Sequence, residues 1–310
     1  MSALQFTAYG PASDFVLAED TAAGAPGEGQ ILVQVAAASI NPIDTAISAG
    51  YLAEMLPLEL PATVGGDYAG TVLEVGPGVE HVSVGDRVIG QAGLLLGGSG
   101  SFAEKIVAPA GLATRAPQNA DAVTAAALPL AGASAVQALR TLGLTSGQTL
   151  LVLGAGGAIG SYGVQIGKAA GLRVLATAGA ADLEYVHSLG ADEVIDYSDT
   201  AAIDALTGID GILDASRGVD PAPYYRALNR GGAMVSLGTQ HDEEAAKAAG
   251  VSGVSQMTAP ATDVLDELVA LVDAGKVAPR IAGTFPLSQG VEAFAADASS
   301  RGKTVVTMGA

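Results

Sequence analysis

Hydrophobic and polar positions along this chain change period part-way through. Up to about residue 117, short strand-like runs alternate with proline and glycine, as in residues 30–36 (QILVQVA), 70–75 (GTVLEV) and 86–89 (DRVI). This pattern predicts a small β-rich segment. Residues 122–142 follow with a helical pattern interrupted by Pro129. Residues 149–161 (TLLVLGAGGAIGS) then combine an uncharged apolar run, suited to a strand buried on both faces, with a glycine-dense turn. Ile159, Gly163, Ile166 and Ala170 continue at helical spacing, Gly171 can end that helix, and residues 173–177 (RVLAT) form the next strand. Further strands are expected at residues 193–196, 210–214 and 234–237, so strand and helix alternate as in a parallel doubly wound sheet. The chain closes with a predicted strand over 281–285, a helix over 288–299 and a strand over 303–308.

The glycine turn carries the first chemistry. A dinucleotide needs backbone N–H groups close to its pyrophosphate, and a helix N-terminus supplies them with a favourable dipole. Ala155, Gly157 and Gly160 spell Ala-x-Gly-x-x-Gly, with alanine where the usual fingerprint has its first glycine and Gly154 just before it.

Composition narrows the function classes. The 310 residues suffice for two domains, and 49% hydrophobic against 15% charged residues fits a folded globule. The net charge of −18, from 14 basic and 32 acidic residues, argues against nucleic acid or anionic lipid as partners. There is no cysteine, so disulfides and thiolate metal sites are impossible, and the three histidines, His81, His187 and His241, show no ligand spacing. No metal is expected, although Asp67, His81 and Asp86 are near each other in sequence. The N-terminus lacks the basic and apolar segments of a secretory signal, which makes a cytoplasmic protein the expectation. Residues 145–167 are uncharged but contain seven glycines and break into strand, turn and helix, so no membrane span is expected there.

Several motifs occur together and in order: Asn41-Pro-Ile-Asp44; Gly65-Gly-Asp-Tyr-Ala-Gly70; Val75-Gly-Pro-Gly78; Gly85-Asp-Arg-Val88; Leu128-Pro-Leu-Ala-Gly132; the Ala155 loop; and Leu189 through Tyr197 (LGADEVIDY). Together they resemble the zinc-independent medium-chain dehydrogenase/reductases, in the quinone oxidoreductase or zeta-crystallin-like branch. The resemblance implies an α/β protein in which a Rossmann doubly wound parallel sheet domain, residues 122–277, accompanies a GroES-like β-rich catalytic domain, residues 1–121 and 278–310. It implies an enzyme that reduces quinones or α,β-unsaturated carbonyl compounds by metal-free hydride transfer from NADPH, with NADH not excluded. It also implies a homodimer, for which residues 251–257 (VSGVSQM) are the expected edge strand. Two other readings remain open at this point: a non-redox tailoring enzyme such as a cyclase on the same scaffold, and a crystallin-like nucleotide-binding protein.

Carried over residue by residue, the resemblance assigns catalysis to Tyr51, a candidate hydrogen-bond donor to the substrate oxygen, and to Asn41 beside the nicotinamide or ribose. It assigns cofactor binding to Asn41, Ser134, Thr177, Tyr197, Gly238 and Lys303, along with the loop residues Ala155, Gly156, Gly157, Ala158, Ile159 and Gly160. Relatives carry Ser and Lys or Arg in the turn after the second strand, where this chain has Gly179 and Ala181. No acid stands at the strand tip itself, which counts against NAD; Asp182, further along, either meets a ribose hydroxyl or, more simply, with Glu184 caps the next helix. His241 falls near the cofactor cleft or on a solvated helix start. The apolar side chains of Leu94, Leu95, Leu96, Met55 and Leu56 suggest an apolar ligand, or core packing.

Overall fold

The computed structural model describes residues 1–309 apart from Gly97, Arg217, Thr239 and Ser299. Ser299, at the end of the expected helix 288–299, and Thr239, beside Gly238, lie outside the described residues, as do Gly97 in the loop after residue 91 and the C-terminal Ala310. The chain divides into two compact units. Unit 1 comprises Met1–Leu130, Pro260–Asp273 and the segment from Pro279 to the C-terminus; unit 2 comprises Ala131–Ala259 and Ala274–Ala278.

In chain order, unit 1 begins with β1 (Ala3–Phe6), β2 (Val16–Ala18), β3 (Gln30–Ser39), α1 (Pro42–Ser48), β4 (Ala62–Thr63), β5 (Asp67–Val75), β6 (Arg87–Gln91), β7 (Lys105–Pro109), β8 (Ala113–Arg115) and α2 (Ala122–Ala126). Pro129 opens a separate helix, α3 (Pro129–Leu142), where a first-turn proline costs no hydrogen bond. Unit 2 continues with β9 (Thr149–Leu153), α4 (Ala158–Ala169), β10 (Arg173–Ala178), α5 (Leu183–Ser188), β11 (Glu193–Asp196), α6 (Thr200–Asp204), β12 (Ile209–Asp214), α7 (Ala222–Ala227), β13 (Leu228–Ser236), α8 (Glu243–Ala249) and β14 (Ser252–Ser255). The chain then runs through α9 (Thr262–Asp273), β15 (Ile281–Pro286), α10 (Gly290–Asp297) and β16 (Lys303–Thr307).

The compact units divide at residues 130/131, 259/260, 273/274 and 278/279. Helix α2 packs on β3 and β5, and α9 packs on β8, where the Thr114 hydroxyl bonds Asp266 and the Gln118 N–H donates to Asp273 at 2.7 Å. Both helices therefore belong to unit 1.

Strand β3 organises unit 1. It pairs antiparallel with β5, β7 and β16, in a sheet ordered β15-β16-β3-β5-β6-β8. Its inner face, Ile31, Val33 and Val35, is fully buried, as the period-two pattern requires. Phe294 of α10 closes the core, stacking edge-on to Phe15 at 5.1 Å and tilted to Phe102 at 5.5 Å between ring centroids.

In unit 2 six parallel strands take the order β11-β10-β9-β12-β13-β14. The chain winds outward on either side of the β9/β12 pair, so the topological switch point lies at their carboxyl ends. All five residues of β9 are buried, which is why that stretch reads as unbroken hydrophobicity. Helix α4 lies close on the sheet because of its glycine face: a Cβ at Gly163 would stand 2.4 Å from Leu213, and one at Gly167 would stand 2.8 Å from Leu150. Strand β13 starts at Leu228, earlier than its apolar core, with a register irregularity in its pairing with β12. Among the described residues strand β14 pairs with β13 alone and forms the sheet edge.

Candidate functional site

The switch point of unit 2 holds the glycine loop between β9 and α4. Gly154 adopts φ of +71°, the conformation that turns the chain, and a Cβ there would stand 3.1 Å from the Ala215 backbone. Gly154 thus does the turning that the missing first glycine of the fingerprint would do. Ala155 is fully buried in the sheet core, and its N–H donates to the Thr177 carbonyl at 2.9 Å. The Thr177 hydroxyl accepts from the Gly154 N–H at 3.3 Å. These two bonds, one from Ala155 and one from Gly154, lock the loop to β10.

Ligand donors come from the following residues. Gly157 is the N-cap of the twelve-residue α4, and the N–H groups of Ala158, Ile159 and Gly160 have no carbonyl one turn earlier inside the helix to bond. These donors sit at the positive end of the helix dipole. A Cβ at Gly160 would press to 2.3 Å from the Gly154 oxygen, and one at Gly157 would meet only that oxygen, at 3.3 Å. The loop is an open, donor-rich cradle that fits a pyrophosphate.

The turn after β10 folds back on this cradle. Residues Ala180–Asp182 form a single 3-10 turn in which the Asp182 N–H donates to the Gly179 carbonyl at 2.8 Å. The Asp182 side chain makes no capping bond to α5, so the capping alternative is corrected; Glu184 in the first turn of α5 is placed to favour the helix dipole. A Cβ at Gly156 would stand 3.1 Å from Asp182 Oδ2, which puts this carboxylate against the loop. Tyr197, 62% exposed at the end of β11, lays its ring over Gly179, where a Cβ would meet the ring at 3.3 Å.

On the other side of the switch point, Asp214 ends β12 fully buried. It accepts from the Ser216 N–H at 2.9 Å and from the Ser236 hydroxyl at 2.7 Å, tying the ends of β12 and β13 together. Gly238 follows β13, and a Cβ there would lie 3.5 Å from the Ser216 oxygen. Ser134 of α3 is buried and shares a hydrogen bond with the Thr258 hydroxyl. Farther from the loop, His241 Nδ1 bonds the Tyr225 hydroxyl at 2.7 Å, and Asp242, not His241, caps α8 through the Ala245 N–H.

Unit 1 holds a separate polar cluster at the start of α1. Lys303 Nζ donates to the Ile40 carbonyl at 2.7 Å and to Asn41 Oδ1 at 2.6 Å, and stands 3.7 Å from Asp67 Oδ2. Asn41 Nδ2 donates to Asp67 Oδ2 at 2.9 Å. The amide orientation follows from this chemistry, since a flip would face its oxygen to a carboxylate and its NH2 to an ammonium. Asp67 also accepts from Gln91 Nε2 at 2.6 Å, the Leu130 N–H at 3.0 Å and the Ser39 hydroxyl at 3.2 Å. Asp44 accepts from the Asn41 N–H at 2.8 Å; burial, reinforced by the nearby Asp67 charge, lifts its pKa to about 7.

Three residues named from the sequence, Asn41, Tyr51 and Lys303, lie in unit 1. Lys303 is buried and engaged within the cluster, so its effect passes through Asn41. Both Nδ2 hydrogens of Asn41 are engaged, on Asp67 and on the Ser39 carbonyl at 3.4 Å, so its amide can accept through Oδ1 but not donate toward a ligand. Tyr51 lies in the turn after α1 with its side chain 83% exposed. Leu94 is buried in the core, whereas Met55 and Leu96 are exposed. Asp67, His81 and Asp86 do not converge: His81 bonds the Ala110 carbonyl and Asp86 bonds Arg115. Among the described residues no group of three or more His, Asp or Glu is arranged to hold a metal ion.

The alcohol dehydrogenase GroES-like domain model matches residues 27–118, and the zinc-binding dehydrogenase model matches residues 189–306. A chloroplast envelope quinone oxidoreductase homolog of Arabidopsis thaliana is 33% identical over 99% of this chain and 98% of its own. The chain belongs to the medium-chain dehydrogenase/reductase family, in its quinone oxidoreductase branch. An NADPH-dependent alkenal/one oxidoreductase of the same plant is 32% identical, covering 95% of this chain and 75% of its own. The solved quinone oxidoreductase of Coxiella burnetii superposes with a TM-score of 0.88 at 30% identity, over 99% of both chains. The GroES-like sheet of unit 1 and the Rossmann sheet of unit 2 are those expected of this family, and the chain is an oxidoreductase. No helix of the described residues is long and apolar enough to cross a membrane.

Proposed function

We propose that this oxidoreductase reduces quinones or α,β-unsaturated carbonyl compounds with a hydride from NAD(P)H and without a metal. The observation that carries the reading is the open N-terminus of α4, set at the switch point of the parallel sheet, with Gly157 clearing the approach and Gly160 letting the helix start close against Gly154. Relatives whose names specify quinones and alkenals or enones set the substrate class, and one relative's name specifies NADPH. When bound, the dinucleotide supplies the hydride, and the protein's work is orientation and charge stabilisation.

Ala158, Ile159 and Gly160 hold the pyrophosphate through their N–H groups, and Tyr197 offers its exposed ring to the adenine. Asn41, held by Lys303 and Asp67, accepts from the ribose or the carboxamide of the nicotinamide. Tyr51 donates to the substrate oxygen as charge gathers there. A metal-free reaction fits the donor set: there is no thiol, and the Lys303 ammonium already supplies the cation beside Asn41 and Asp67. The chain forms a homodimer through the β14 edge, next to the exposed Met257; light scattering giving a monomer at micromolar concentration contradicts that part.

The test is turnover under air-free conditions, following the loss of nicotinamide absorbance with a benzoquinone, a naphthoquinone and a short-chain enone. The reading expects oxidation of the cofactor with at least one of the three. Binding without turnover across the panel would overturn it.

A further inference from the structure

The adenosine end of the cradle carries a carboxylate where a 2′-phosphate partner would have to stand. We propose that Asp182 selects a dinucleotide whose adenosine ribose bears free hydroxyls, making NADH rather than NADPH the working cofactor. The inference rests on the dinucleotide reading above and deepens it.

Three observations converge on Asp182. It lies 22 residues beyond Gly160, in the range where an acid meets the ribose of a bound dinucleotide. The 3-10 turn before α5 brings the Asp182 carboxylate to Gly156, within 3.1 Å of where a Cβ would project. Gly156 is thus glycine on the face where Asp182 closes in, and any larger residue would displace that carboxylate. Finally, the turn from Ala178 to Asp182 contains no lysine, arginine or histidine, while the Tyr197 ring covers Gly179 on its other side.

A carboxylate accepts hydrogen bonds from two vicinal hydroxyls, each a charge-assisted bond of the stronger kind. Toward a phosphate dianion at the same place it offers only like-charge repulsion and no donor. The choice made by this chain is therefore separate from the one that its NADPH-dependent relative's name specifies.

The test is an equilibrium titration of the intact protein with NADH and NADPH, read by nicotinamide fluorescence, on the wild type, Asp182→Asn and Asp182→Ser. Competition by 5′-AMP and by adenosine 2′,5′-bisphosphate provides a second readout that needs no turnover. The wild type is expected to bind NADH about tenfold or more tightly than NADPH, and 5′-AMP more tightly than the bisphosphate. Both variants are expected to bring the two dinucleotides to within about threefold of each other by weakening NADH and relieving NADPH. Tighter NADPH binding by the wild type, or an unchanged ratio in both variants, would overturn the inference while leaving the reductase reading intact. If the wild type binds neither dinucleotide, both fall together.

Discussion

The two polar regions of this protein solve opposite problems. At the β9–α4 loop of unit 2, the groups that matter are backbone donors left open to a ligand, and side chains are removed to expose them. At the start of α1 in unit 1, the polar groups are side chains, and almost every bond they can make is closed within the cluster. The first region is built to bind, and its glycine positions tolerate no larger residue without moving the loop. The second is built to hold one amide, Asn41, in one orientation by placing an ammonium on its oxygen and a carboxylate on its nitrogen. A donor-rich loop tolerates solvent until a ligand arrives, whereas a buried charge cluster must be complete to be stable.

Removing one charge from the cluster breaks that contrast most severely. Lys303→Met leaves Asp67 buried without its cation and Asn41 Oδ1 without its donor, at an expected cost of about 3–5 kcal/mol in urea unfolding. A loss under about 1 kcal/mol would mean that the cluster is hydrated and not closed.

Asp44 gives the cluster a pH signature. Its folded pKa of about 7 lies above the ordinary carboxylate value, so the folded state binds the extra proton. The stability it contributes is full below about pH 4 and is lost as pH rises through about 7, the window set by the unfolded and folded values. Asp67, Lys303 and Asp297 are the charged groups acting on it, and the first and last raise its pKa while Lys303 lowers it. Asp44→Asn keeps an acceptor for the Asn41 N–H and cannot ionise. Its unfolding free energy should match wild type near pH 4 and exceed it near pH 8 by about 4 kcal/mol. Parallel pH dependence in the two proteins would refute the assignment.

The corresponding break in unit 2 is smaller in stability and larger in binding. Gly160→Val drives a side chain into the Gly154 carbonyl, which should cost about 1–3 kcal/mol in folding and shift the loop donors. Dinucleotide affinity should fall at least about tenfold, checked by fluorescence titration at a temperature where the variant is folded. The smallest effect concerns Tyr51. Tyr51→Phe should leave the unfolding midpoint unchanged, because the side chain is exposed, and lower kcat about tenfold through loss of one hydrogen bond to the developing oxyanion. An unchanged kcat would remove Tyr51 from the reaction.

The same contrast explains what could be read from the sequence. The glycine loop was readable because its chemistry lives in the backbone, and only glycine at fixed spacing permits it. The central parallel strands β9, β10 and β12 were readable for a related reason: burial on both faces leaves a mainly apolar run such as residues 149–153. The cluster was not readable as a cluster, because Asn41, Asp67 and Lys303 come from α1's N-cap, β5 and β16, separated by 26 and 236 residues along the chain. Its members were visible only singly, Asn41 and Lys303 through the resemblance and Asp67 as a residue in a motif. Asp182 presents an intermediate case. Its distance from the loop was visible, but which way its side chain points depends on a three-residue turn whose residues also suit a helix cap. The unit boundaries were set by which sheet α2 and α9 cover, and an amphipathic pattern does not name its partner.

Adding a reduced nicotinamide dinucleotide to the purified protein, recording its bound fluorescence, and then mixing in an enone or quinone tests the central claim most directly. The account predicts a saturable fluorescence change, followed by a first-order loss of that signal when the acceptor is added. A bound cofactor that keeps its hydride against every acceptor tried, or no binding at all, would contradict it.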